Sequence, residues 1–323
     1  MAELAAERYT QVQSVSRAVV EVIQGIWGDV PADRILSAMQ GETGRQILAA
    51  VTAGQLSAAQ GAQLFVGASM AAQGAVAAPL GLLDPAALVG IASDGRPLAS
   101  LLQLPAITTA RALAAGESAE LAAVRGLTQM AMMAGTQISD ASRTATTIGM
   151  AAHPRCISYV RVVRLPACAR CIILSGRQYS YSTGFKRHPR CDCGMEPMTD
   201  AEWKQTKSPE DLFREMSPEE QRKRLGPNGV KALERGADLG QIINSRRGMQ
   251  TAVTGRGPMK VTLEGTTKRG IGAKAMGSAF EKQPGKRYMR TQEARLMPET
   301  IFKLAGNSRE HQIAMLKKHG YIV

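Results

Sequence analysis

Four of the five cysteines in this 323-residue chain fall in two closely spaced pairs, which is a pattern typical of metal sites. The first pair is Cys168-x-x-Cys171, the second is Cys191-x-Cys193, and His188 lies three residues before the second pair. Two thiolates on each of two turns can surround one zinc ion tetrahedrally, and an imidazole can replace one of the sulfurs. The pattern therefore predicts a structural zinc site with ligands from Cys168, Cys171, Cys191, Cys193 and His188.

Other chemistry for these residues stays open. Buried thiols can remain free, and a catalytic zinc ion would need an open coordination position and a general base, for which Asp192 and Glu196 are the candidates. Cys171 and His188 could form the nucleophile and base of a peptidase, but cysteines in paired spacing are more often held by a metal. The chain contains neither a Gly-x-Ser-x-Gly elbow nor a His-Glu-x-x-His helix. We therefore assign no catalytic residue.

A second His-Pro-Arg-Cys run adds an alternative ligand turn. Residues 153–156 repeat residues 188–191 letter for letter, which makes His153 or Cys156 an alternative ligand. A repeat of four residues arises readily by chance in a chain of this length, so we interpret Cys156 as a spare thiol.

The predicted secondary structure that positions these residues changes from helix to strand near residue 153. Residues 1–152 are rich in Ala and Gly, with apolar residues at helical spacing, and predict a helical region. Residues 153–198 predict a small β unit in which strands at 157–165 and 177–183 carry the metal ligands at one end. Such short strands are not stable alone, so the metal would supply much of the folding free energy.

The remaining residues, 199–323, predict a basic and mostly helical region. Helix starts are indicated at Thr199, Ser208 and Ser217, and Gly226-Pro-Asn-Gly229 indicates a turn. The segment 250–290, rich in Gly, Lys, Arg and Thr, predicts a flexible basic arm or a loop ordered by a partner, with one candidate strand at 259–264. Residues 298–323 predict two helices and an apolar tail that docks back. The predicted fold class is α+β, mainly α.

Charge divides the chain in a similar way. Residues 1–150 hold eight arginines, no lysine and eleven acidic residues, a net charge of −3, whereas residues 151–323 hold 32 basic and 16 acidic residues, a net charge of +16. The basic half suits a polyanion such as double-stranded DNA, although a basic solvated surface beside an acidic protein remains the alternative. The candidate nucleic-acid-binding residues are Arg246, Arg247, Lys268, Arg269, Lys317 and Lys318. The helix pair at 298–319 could read DNA as a helix-turn-helix, but an αα-hairpin without DNA contact is the commoner case.

The sequence predicts neither a membrane span nor a signal peptide, because it has no apolar run of about 18 residues and no basic and apolar leader. Clustered cysteines at metal spacing favour a reducing compartment over a disulfide framework.

The cysteine arrangement also resembles a known family. Cys-x-x-Cys, a short β-like span and His-Pro-x-Cys-x-Cys together resemble the minor head protein family of tailed bacteriophages typified by phage Mu protein F. The runs at 217–226 and 236–249 are similar to the actinobacterial phage branch of that family, and the resemblance covers residues 150–323.

The resemblance implies a minor capsid protein that acts in head morphogenesis at the portal vertex. It would be found in the virion, and in the host cytoplasm during assembly. The implied partners are the portal protein, a scaffold or major capsid protein, and packaged DNA. Some members are labelled capsid maturation proteases, so the enzyme alternative is a protease that cleaves a head or scaffold protein. A cellular DNA-binding zinc protein is a third possibility.

Overall fold

The computed structural model confirms the predicted fold class, with many α-helices and, among the residues that it describes, two small antiparallel sheets. The chain divides into two compact units, a first unit of residues 1–163 and 176–206 and a second unit of residues 164–175 and 207–323. The structure describes residues 2–185, 188, 191–199, 208–255, 257–264, 280–282 and 289–322.

The first unit is built mainly from helices. Its described α-helices are α1 (Ala2–Gly28), α2 (Ile35–Ala38), α3 (Glu42–Ala59), α4 (Ala62–Ala71), α5 (Leu98–Leu102), α6 (Leu104–Ala114) and α7 (Ala119–Ala152). Short 3-10 helices lie at Ala32–Arg34 and Pro85–Leu88. The predicted helical region therefore forms.

The 34-residue helix α7 organises this unit. It begins after Ser118, whose side chain accepts a hydrogen bond from the Leu121 amide and so satisfies one free donor of the first turn. It packs against α1, α3, α4 and α6, and its Met130 joins Ile23 and Trp27 in an apolar cluster. The single helix predicted near 117–150 is confirmed.

Gly126 allows the close approach of α7 to α6 and α1. A Cβ atom added there would collide with the Thr109 hydroxyl and would lie 2.7 Å from the Trp27 ring and 3.0 Å from the Pro105 carbonyl oxygen. By contrast, an added Cβ at Gly67, in α4, would meet nothing within 4 Å.

We therefore expect Gly126→Ala to lower the free energy of unfolding by about 1–3 kcal/mol, the usual cost of overpacking. The matched control is Gly67→Ala, which should leave stability unchanged or raise it, because alanine is the better helix former by about 1 kcal/mol. Denaturant unfolding followed by circular dichroism measures both. Equal stability of the two variants would contradict this account of the packing.

A three-stranded antiparallel sheet completes the first unit. Its strands are β1 (Ser158–Val162), β2 (Gln178–Ser180) and β3 (Gly194–Met198), in the order β2-β1-β3. The two predicted strands are confirmed in shorter form, and β3 is an addition that the sequence did not predict. Tyr159 on β1 stacks on Tyr179 of β2 with ring centroids 5.4 Å apart, which stabilises that strand pair.

The described helices of the second unit are short. They are α8 (Ala169–Ile172), α9 (Pro209–Arg214), α10 (Pro218–Glu234), α11 (Leu239–Arg247), α12 (Pro298–Ala305) and α13 (Arg309–Lys318). The predicted starts at Ser208 and Ser217 are confirmed, since each hydroxyl accepts an amide hydrogen bond three residues on. The helix predicted after Thr199 falls on residues 200–207, outside the described part of the chain.

The turn predicted at 226–229 takes the form of a kink. Gly226 has φ 69° and ψ 163° within α10, and Pro227 follows it. An L-residue rarely adopts this φ, and proline cannot donate the helical hydrogen bond, so the helix axis breaks here and resumes. Arg246 lies against this kink, since a Cβ added at Gly226 would come within 2.7 Å of its guanidinium.

The strand predicted at 259–264 is confirmed within a longer strand, and further described strands that the sequence did not predict lie in the same sheet. A second antiparallel sheet has strands β4 (Met249–Thr254), β5 (Gly257–Glu264), β6 (Phe280–Lys282) and β7 (Met289–Leu296), in the order β4-β5-β7-β6. Less exposed and exposed residues alternate over residues 257–260 of β5, as expected for a paired strand. The abundance of Gly, Lys and Arg hid this alternation in the sequence.

The C-terminal residues dock as predicted. Tyr321 is completely buried, its carbonyl accepts a hydrogen bond of 2.7 Å from the Asp238 amide, and the Arg295 guanidinium lies 4.8 Å from its ring centroid. Among the described helices, none is long and apolar enough to cross a membrane.

Candidate metal centre

The Cys-x-Cys pair lies at the beginning of strand β3. Val162 at the end of β1 pairs with Gly194 at the start of β3, so Cys193 directly precedes the paired residues. The Cys191 amide donates to the His188 carbonyl at 3.0 Å. Cys191 and Cys193 are both buried. The sheet therefore fixes two sulfurs in a dry environment.

Arg161 on β1 places a positive charge beside these sulfurs. Its side chain is 1% exposed, and its Nη2 lies 3.5 Å from the Cys191 Sγ and 3.4 Å from the Cys193 Sγ. The same guanidinium stacks 4.2 Å from the ring centroid of Phe185. A buried cation that donates to two sulfurs favours their thiolate forms, which are the forms that bind metals.

Arg143 on α7 holds the backbone of the same pair. Its Nη1 donates to the carbonyl oxygens of Cys191 at 3.1 Å and Cys193 at 3.0 Å, and its Nη2 donates to the buried carboxylate of Asp140. Asp140 also accepts from the Ser93 hydroxyl. The position of the Cys-x-Cys turn is thus set from the central helix of the first unit.

The Cys-x-x-Cys pair forms a compact turn in the second unit. Cys168 caps the N-terminus of α8, and its Sγ accepts a hydrogen bond from the Cys171 amide at 3.4 Å. Arg224 donates from Nε to the Ala167 carbonyl at 2.8 Å, which holds the entry to the turn. Cys168 is exposed and Cys171 is buried. The hydrogen bond to Sγ again stabilises the thiolate form.

The five predicted ligands form two overlapping groups that could hold a metal ion. The ligand atoms of Cys168, Cys171 and His188 lie within 4.8 Å of one another, and so do those of Cys171, Cys191 and Cys193. In a tetrahedral zinc site with bonds of about 2.3 Å, neighbouring sulfurs lie roughly 3.8 Å apart. The donor set therefore fits a metal ion, and Cys171 belongs to both groups.

The alternative ligands behave differently. Neither group of the described residues includes Cys156 or His153. Cys156 is buried, its Sγ contacts the Ser158 carbonyl oxygen at 3.5 Å, and burial raises the pKa of its thiol to about 11. Burial lowers the pKa of His153. Cys156 is therefore a protonated thiol, in keeping with its interpretation as a spare.

The two candidate general bases, Asp192 and Glu196, lie outside the metal-binding groups. The carboxylate of Asp192 accepts a hydrogen bond of 2.6 Å from the Tyr9 hydroxyl, and burial raises the pKa of Glu196. Neither belongs to the two metal-binding groups.

The predicted nucleic-acid-binding residues are in different situations. Arg246 pairs with Glu299 at 2.5 Å and Arg247 pairs with Glu264 at 2.8 Å, so carboxylates already neutralise both charges. Lys317 and Lys318 are exposed at the end of α13. Lys268 and Arg269 lie outside the described residues. Among the described residues of this set, Lys317 and Lys318 are therefore the ones whose charges can contact DNA.

Sequence reasoning missed Arg143 and Arg161. A signal for Arg161 exists, since it is a charged residue flanked by Val160 and Val162 in a predicted strand, and a charge that becomes buried there needs a partner. For Arg143 the signal is weaker, a pairing with Asp140 at three-residue spacing on α7.

Comparison with known proteins adds one finding. A family model described as VG15 protein matches residues 104–218. This match supports a phage protein. It includes the whole of α7, the sheet β1–β3 and all five candidate ligands, and it extends over about a third of the chain. Searches of curated proteins and of solved structures found no match.

Proposed function

We propose that this phage protein is a minor capsid protein that acts in head morphogenesis at the portal vertex, and that a structural zinc ion stabilises its fold. The observation that carries the proposal is that the VG15 match and the metal-binding groups coincide in one segment. Cys171, Cys191 and Cys193 would hold the ion, with Cys168 or His188 as the fourth ligand. Portal, scaffold or major capsid protein would be its partners.

A bound zinc ion would supply folding free energy to this segment. Four thiolates around Zn²⁺ carry a net charge of −2, and three thiolates with one imidazole carry −1. A negative centre is costly to bury unless a cation lies close to it. Arg161, at 3.4 and 3.5 Å from two of the sulfurs, provides that cation within the first unit.

The direct test is mass spectrometry of purified heads. The proposal expects the chain in heads at a fixed ratio to the other head proteins. Its absence from heads but presence in infected cells would instead favour a cellular DNA-binding zinc protein. A shortened head or scaffold protein whose cleavage requires this chain would favour the protease.

We further propose that the basic half of the chain contacts packaged DNA through exposed lysines such as Lys317 and Lys318. Both side chains are exposed at the C-terminus of α13, and residues 151–323 carry a net charge of +16. Binding to phosphates releases counterions, so affinity depends steeply on salt and weakly on sequence.

In the full chain, the double variant Lys317→Glu/Lys318→Glu should therefore weaken binding to duplex DNA and flatten its dependence on salt. The matched control is Arg17→Glu/Arg111→Glu, which changes net charge equally at exposed positions of the acidic half. Fluorescence anisotropy over a salt series measures both. Equal loss in the two variants would show that total charge, rather than α13, determines binding.

A further inference from the structure

A buried ion pair on α7 connects the central helix to the Cys-x-Cys turn. Asp140 is 4% exposed and Arg143 is 6% exposed, and the two lie one helical turn apart. Burying opposite charges is costly unless both groups keep good hydrogen bonds. The Arg143 guanidinium donates from Nη2 to the Asp140 carboxylate and from Nη1 to the carbonyl oxygens of Cys191 and Cys193. Asp140 is therefore linked to two candidate ligands through one side chain.

One nitrogen of Arg143 fixes the backbone at both cysteines of this turn. Its Nη1 lies 3.1 Å from the Cys191 carbonyl oxygen and 3.0 Å from the Cys193 carbonyl oxygen. Because these two carbonyls converge on one nitrogen, its position sets the orientation of the backbone at both residues. The Cα–Cβ bonds follow the backbone, so the same contacts influence the directions in which the two Sγ atoms project. A tetrahedral metal ion depends on those directions.

The loop before α5 orients the carboxylate of Asp140. Ser93 is exposed on this loop, its hydroxyl donates to the Asp140 carboxylate, and its backbone amide donates to the Gln137 Oε1 at 2.7 Å. The Gln55 side chain donates to the Ile91 carbonyl oxygen at 2.9 Å. Both glutamines are buried, so they hold the loop from inside the helical region. The Ser93 hydroxyl thus reaches Asp140 from a fixed position.

Charge gives Asp140 a second effect on the same turn. The ring centroid of Phe185 lies 4.2 Å from the Arg161 guanidinium and 5.9 Å from that of Arg143. Two cations this close repel each other in a buried environment. The Asp140 carboxylate compensates the charge of Arg143, while Arg161 supplies its charge beside the two sulfurs. Removing the carboxylate charge would therefore leave Arg143 as a buried cation without its counterion.

We propose that Asp140 is a positioning residue of the metal centre. It acts through Arg143, which sets the conformation of the Cys-x-Cys turn, and Ser93 orients its carboxylate. All of these residues belong to the first unit. Partners that orient metal ligands from outside the coordination sphere typically change metal affinity about 10–100-fold when they are replaced. The inference rests on the proposed zinc site and extends it to residues that are not metal ligands.

The test is competition between the full chain and a colorimetric chelator for zinc. Asp140→Asn should weaken zinc binding about 10–100-fold, because Arg143 loses its counterion and no longer holds the turn. Ser93→Ala should weaken it about two- to tenfold, since it removes one hydrogen bond to the carboxylate. Ser93 is exposed, so this variant still reports on the proposal if Asp140→Asn does not fold.

Two controls separate positioning from a general loss of charge or stability. Asp94→Asn makes the same substitution on the same loop at an exposed carboxylate that pairs with Arg96 at 2.7 Å, and zinc affinity should not change. Gly126→Ala overpacks α7 against Thr109 and Trp27. It should lower the melting temperature but leave the zinc affinity of the folded chain unchanged.

A double-mutant cycle in zinc affinity tests whether Asp140 acts through Arg143. The effects of Asp140→Asn and Arg143→Gln should not add, because each removes a member of the same chain of contacts. Additive effects would overturn the proposal. So would wild-type zinc affinity in both Asp140→Asn and Ser93→Ala, or equal losses in Asp94→Asn or in Gly126→Ala. Wild-type protein that binds no zinc would overturn the zinc site itself together with this inference.

Discussion

Protein purified under reducing conditions should contain about one zinc ion per chain, and Cys171→Ser should lose that ion together with the fold of the surrounding segment. Cys171 is the ligand common to both metal-binding groups, so its replacement removes a donor from either arrangement. Elemental analysis measures the metal, and circular dichroism with and without a chelator measures the fold. The expected result is coupled loss of zinc and structure, because binding free energy is folding free energy at such sites.

Cys156→Ser is the control for this expectation. Cys156 belongs to neither group, its pKa is raised to about 11, and it contacts the Ser158 carbonyl oxygen. A serine hydroxyl can donate to that oxygen, so metal content and stability should change little. Reduced wild-type protein without metal would exclude the zinc site, and Cys171→Ser with full metal content would exclude Cys171 as a ligand.

Two further substitutions identify the fourth ligand. His188→Ala should leave zinc bound if four cysteines hold it, and Cys168→Ser should leave zinc bound if His188 completes the set. The positions differ in exposure, since Cys168 is exposed and His188 is half-buried. The zinc content of each variant after dialysis against a chelator distinguishes the two ligand sets.

The clustering of the candidate ligands was predictable because its signal is local. A Cys-x-x-Cys turn brings its sulfurs together within four residues, and a short sheet between the pairs is a simple way to join two turns. The long helix α7 and the serine caps at 208 and 217 were predictable for the same reason. Each depends on residue types within a few positions of one another.

What the sequence did not predict depends on contacts distant along the chain. Strand β3 contains Gly194 and Pro197, which disfavour strands, yet it pairs with β1 at an edge of the described sheet, where proline is tolerated. Arg143 meets the carbonyls of residues 191 and 193 from a helix about 50 positions earlier. No spacing within the sequence indicates such a contact. The residues that orient the candidate site could therefore be identified only from the folded structure.

Replacing both Cys191 and Cys193 with serine should remove the protein from purified heads, while processing of the capsid and scaffold proteins continues wherever assembly still proceeds. The two sulfurs are buried beside Arg161, and serine hydroxyls would not provide the anionic partners that this cation requires. The metal would be lost, and the surface formed around the sheet β1–β3 would no longer keep its native conformation. Quantitative mass spectrometry of heads measures incorporation, with Cys156→Ser as the variant expected to be retained.

A maturation protease predicts a different result. Some Ser, Cys or His substitution would then leave the protein folded and present in heads but stop the cleavage of a head protein. Cys171 with His188 is the pair to examine first, because their ligand atoms lie within 4.8 Å of each other in one of the groups. Restored cleavage on adding active protein to the purified precursor would establish the enzyme. We expect the structural outcome, because a thiolate that is bound to zinc and shares its charge with the metal is a poor nucleophile toward a peptide bond.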